Sequence, residues 1–150
     1  MWLSGEYASL LEKRARAMLA LAKELLQRGQ PDLAALNAEY GAQLLLKALL
    51  LRLTGEEWRG HSVRALLSVL AHSLREHGFS ELAEEVEGFA RSFRRMLIEL
   101  EEAHVRAVYG VLEYSKEQSE KILWIAEEVA KLVDRVAREV LSYGKEVESS

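Results

Sequence analysis

A single proline, Pro31, stands in 150 residues. No stretch alternates β-branched and polar residues in the way that marks a strand. Apolar residues instead recur at steps of three and four almost throughout. A chain with that period and so few breakers is constrained to long helices packed on one another, so the expected fold class is all-α. The pattern predicts five helices, at about 4–28, 32–53, 61–77, 80–100 and from 115 onwards.

The boundaries follow from local chemistry. Gly29 stops the first helix, and Pro31 with Asp32 opens the second. Thr54 and Gly55 end the second, and Gly78 ends the third. Ser80 is the expected cap of the fourth. Ser115 and Gln118 form a capping box for the last. The second half of helix two, LLLKALLLRL, is apolar on nearly all sides and should be the most buried. Ile122, Ala126, Val129, Val133, Val136 and Val140 keep a seven-residue repeat that favours shallow crossing angles. Short connections make successive helices antiparallel neighbours. The expected architecture is an up-and-down four-helix bundle plus a fifth helix. It forms a single domain over 1–150, with a frayed tail from about residue 144.

Composition removes several function classes. The chain is 49% apolar and 29% charged, an ordinary globular balance. The absence of cysteine excludes disulfides and thiolate chemistry and suits a reducing cytoplasm. MWLSGEYASLLEKRARAM has no basic region ahead of an apolar one, so it does not read as a secretory signal. LLLKALLLRL is too short to span a bilayer and is interrupted by Lys47 and Arg52, so no membrane association is expected. A cytoplasmic location is the expectation. A net charge of −4 does not advertise a nucleic-acid surface, though a local basic patch remains open. Asn and Gln are scarce while Arg and Glu abound, which leans towards a thermophilic source.

The stretch EEAHVRAVYGVLEYS, residues 101–115, holds most of the candidate chemistry. Glu101 and His104 form E-x-x-H on one helix face, a metal half-site. Di-iron bundles need two such pairs and further glutamates. His61, His72 and His77 have no Glu three residues before them, so neither a metal nor another cofactor is expected. No G-x-S-x-G or phosphate-binding glycine loop is present. Arg91, Arg94 and Arg95 read as a solvated face among Glu84, Glu87, Glu99 and Glu102. Trp2, Trp58 and Trp124 read as core or subunit anchors.

The order of several motifs resembles HEPN domains, small helical bundles. RGQPDLAAL (28–36) is the polar turn after helix one. AEYGAQLLLKALLLRLTG (38–55) sets Lys47 inside a leucine run. GHSVRALLSVL (60–70) places His61 before a leucine-rich third helix, and RAVYG (106–110) carries an Arg and a Tyr before the last helix. The resemblance spans about 5–142. It implies either a metal-independent ribonuclease or a member that lacks the nuclease histidine. The nuclease signature is an arginine followed after four to six residues by a histidine, with two such pairs facing each other across a homodimer. After Arg106 those positions hold Val111, Leu112 and Glu113, and His104 precedes the arginine instead.

The resemblance therefore implies a non-catalytic binding or partner module. It would be homodimeric, or paired with a small nucleotidyltransferase, with a groove for a nucleotide built from Lys47, His61, Arg106, Tyr109 and Tyr114. In such a groove Lys47 and Arg106 could hold phosphate and Tyr109 could stack on a base. The alternatives are a toxin-like ribonuclease acting on RNA through His104 and Arg106, and a dimeric scaffold without a ligand. Each residue also has a plain role open to it. Arg106 could bond helix-end carbonyls, Tyr109 could cover the core, Lys47 could snorkel and His61 could cap a helix.

Overall fold

The computed structural model describes residues 4–111 and 113–149; Trp2 and Leu112 lie outside them. The described residues form six helices and no strand: α1 (Ser4–Gln27), α2 (Pro31–Thr54), α3 (Val63–Glu76), α4 (Ser80–Ser92), α5 (Arg94–Tyr109) and α6 (Lys116–Ser149). The all-α bundle is as the periodicity predicts. α2 is the central rod and packs on α1, α3, α5 and α6. Its leucines Leu45, Leu46, Leu49 and Leu50 are buried, so the apolar character of its second half is explained by the neighbours packed around it.

The caps are local. Past α1, Gly29 takes φ 74. The Gln30 N–H then bonds the Leu25 carbonyl at 2.9 Å, closing a Schellman turn before Pro31. Gly55 and Gly78, at φ 74 and 87, end α2 and α3 in the same left-handed region. The capping box holds: Gln118 N–H donates to Ser115 Oγ at 3.1 Å, and Ser115 N–H to Gln118 Oε1 at 2.9 Å.

The structure departs from the periodicity in three places. The long fourth helix is two helices meeting at Phe93, where φ −110 and ψ 20 bend the rod. The Phe93 N–H still reaches Phe89 at 3.0 Å, so the bend costs little backbone bonding. It lets α4 lie on α3 while α5 lies on α2, which no straight rod here does. Ser80 is the first residue of α4 and Phe79 is its cap residue. The α6 backbone stays helical to Ser149, through the segment from Gly144 expected to fray.

α1 and α2 approach closely at one point. A Cβ added at Gly41 would lie 2.7 Å from Leu19 Cγ and 3.1 Å from the Ala15 carbonyl oxygen. Only hydrogen fits there. Gly41→Val should lower unfolding stability by about 1–3 kcal/mol through overpacking, read as a lower urea midpoint.

Candidate functional site

Helix α2 carries Glu39, Gln43 and Lys47 at steps of four, so one stripe of the most buried helix is polar. Glu39 is 0% exposed. Gln43 Nε2 donates to Glu39 Oε1 at 2.6 Å. That leaves Gln43 Oε1 as an acceptor, and it lies 3.0 Å from His61 Nδ1. The other carboxylate oxygen of Glu39 lies 2.9 Å from His104 Nδ1. With Glu39 ionised, both partners of the imidazoles are acceptors, so both rings carry the proton on Nδ1. Nε2 is then the nitrogen each ring keeps for another partner. The two rings stack with centroids 5.7 Å apart and planes 14° apart, and Tyr40 lies 4.9 Å from His104.

Burial raises the Glu39 pKa, and the bonds from His104 and Gln43 only partly offset it. Burial also lowers the Lys47 pKa, against the pull of Glu39.

A second anchor holds the His61 end. Ser62 caps α3, accepting from Ala65 N–H at 3.1 Å. Its hydroxyl donates to Glu101 Oε1 at 2.8 Å. Arg64 gives Glu101 its backbone N–H at 2.8 Å and its guanidinium at 3.0–3.2 Å. Burial pushes the Glu101 carboxyl up, but these bonds from Arg64 and Ser62 outweigh it and hold it below its ordinary value.

The structure brings together some of the residues singled out from sequence. Lys47 and His61 line one cavity of about 400 Å³ with Trp58 and Arg59. His104 joins His61 through Gln43 and Glu39. Arg106 stands two residues beyond His104, about 200° round the helix. Its guanidinium lies 4.6 Å over the ring of buried Tyr114. The Tyr114 N–H in turn bonds Asp32 at 2.7 Å, at the start of α2 and about four turns before Lys47. Tyr109 is 79% exposed. Lys47 and Arg106 therefore serve two separate places. Glu101 and His104 turn to different partners, and among the described residues no three His, Asp or Glu side chains stand together to hold a metal ion.

Sequence reasoning missed Glu39 and Gln43. The signal was there: two polar residues four apart, leading into the most apolar run of the chain, must be satisfied by partners inside the protein if that face is buried.

The fold and site define a helical bundle with a polar seam buried along its central helix. The HEPN domain profile matches residues 8–136, and the chain belongs to that family. No curated protein sequence matches it. Among the described residues no helix is long and apolar enough to cross a membrane.

At pH 8, nitrogen-15 NMR should find both His61 and His104 as Nδ1–H tautomers. Glu39→Gln should flip His104, because an amide nitrogen facing Nδ1 requires an acceptor there. The lowered Glu101 pKa means that its contribution is complete above the ordinary carboxylate range and is lost as pH falls through the folded value. Glu101→Gln should cost about 1–3 kcal/mol at pH 7 and flatten that part of the acid limb in denaturant titrations from pH 7 to 3.

Proposed function

We propose that this chain is a non-catalytic HEPN-type binding module that takes the phosphate of a nucleotide or RNA at its two stacked imidazoles. The observation that carries this reading is the Gln43–Glu39 pair, which ties down Nδ1 of both rings and leaves both Nε2 atoms for a ligand. Lys47, the next polar residue on the stripe, adds positive charge nearby. His61 is exposed and the His104 side chain is 28% exposed, so solvent reaches both rings. Arg106 is engaged with Tyr114 and plays no part in this site. Val105, Val108, Tyr109 and Val111 are exposed at and just beyond the end of α5. That apolar group supports a partner face, for a second copy or for a nucleotidyltransferase.

One observation favours a second reading, a metal-independent ribonuclease. His104 is backed by a buried carboxylate, an arrangement that orients a general base. The cation for the phosphorane charge would have to come from a group other than Arg106.

Calorimetry with AMP and with a short RNA in chelator tests both readings. The binding module predicts saturable binding, weakened about tenfold or more by His104→Ala or His61→Ala, with the RNA intact. Wild-type binding that survives both substitutions would sink it. Cleavage abolished by His104→Ala would replace it with the ribonuclease.

A further inference from the structure

The geometry points to a second ligand site, for a small organic carboxylate with an apolar or aromatic body, in the cavity between α1, α2 and the loop over 55–62. The cavity measures about 400 Å³, within the range of small-molecule pockets. Leu11, Leu44 and Leu51 supply an apolar floor, and the Trp58 ring supplies an aromatic wall. Lys47, Arg59 and His61 reach it from the polar side, and Glu57 stands among them.

Charge selects the class of ligand. Lys47 and Arg59 are two positive charges, Glu57 is one negative, and His61 is counted neutral. The net is one positive charge, which a monoanion neutralises and a phosphate dianion overshoots. Among the described residues neither Lys47 nor Arg59 stands within ion-pair distance of a carboxylate, although Glu39 acts on Lys47 from further away.

The lining selects the body. The three leucines, with the rings of Tyr7 and Trp58, give the body of a ligand an apolar and aromatic surface to lie on. A ring or short hydrocarbon loses nothing there and gains contact with Trp58.

This site stands beside the proposed phosphate site: His61 and Lys47 border both places, but the phosphate site uses the two Nε2 atoms and this one the apolar floor with Arg59, and competition with AMP separates them. The probe is 2-naphthoate, a monoanionic aryl carboxylate, with naphthalene-2-carboxamide as its neutral isostere and AMP as competitor. Titration calorimetry should give saturable 2-naphthoate binding, at least tenfold weaker binding of the carboxamide, and no displacement by equimolar AMP. Arg59→Ala, on an exposed loop residue, should weaken 2-naphthoate about tenfold or more. Trp58→Phe should weaken it and remove the accompanying change in indole emission. Three outcomes overturn the proposal: no saturable 2-naphthoate binding up to millimolar concentration, carboxamide binding as tightly, or AMP displacing 2-naphthoate at equal concentration. The last would merge the cavity with the nucleotide site. Failure of 2-naphthoate to bind leaves the AMP titration to decide the phosphate reading alone.

Discussion

A carboxylate without access to water must be satisfied by the protein around it, and Glu39 is satisfied from two sides. Gln43, on its own helix, fills one oxygen, and His104, from α5, fills the other. That single group therefore joins the central rod to the helix across from it. Through Gln43 it also fixes the orientation of His61 at the start of α3. The two imidazoles stack because a shared buried acceptor system holds them, and the seam organises the site before any ligand arrives.

A buried polar seam is a poor source of stability by itself, since desolvation offsets most of what its bonds return. Stability comes from the leucines on the other sides of α2 and from the close fit at Gly41. The seam instead specifies arrangement. Slipping α5 along α2 by one turn would separate His104 from Glu39 and leave a buried charge with an empty oxygen. The Arg64–Glu101–Ser62 cluster works in the same direction at the surface, pinning the start of α3 to α5. Together they fix where α3 and α5 lie against each other.

Much of this was legible in the chain, for a physical reason. Helix ends are governed by residues within one turn, so Gly29, Pro31, Gly55, Gly78 and the Ser115–Gln118 box could be read directly. The bend at Phe93 could not. No proline or glycine marks it, and its cause is the demand that α4 and α5 cover different partners. The site divides in the same way. His61, His104 and Lys47 stood out by residue type. What they bond to depends on contacts between residues far apart in the chain, Glu39 with His104 and Arg64 with Glu101, which no local pattern encodes. Lys47 and Arg106 looked like parts of one groove because both are cations in family-like motifs. The fold sets Arg106 beside Tyr114 and Asp32 at the start of α2, and Lys47 about four turns further along.

The bend also decides which helix positions His104. α4 rests mainly on α3, with Glu85–Arg135 as a tie to α6. α5 beyond the bend is bound to the central rod by buried Leu97, Leu100 and Ala103. A bend with its backbone bonding kept therefore stands between two segments that bury their leucines against different neighbours. His104 lies on the segment beyond the bend, so its place against Glu39 is set by how α5 packs on α2 and not by the direction α4 takes.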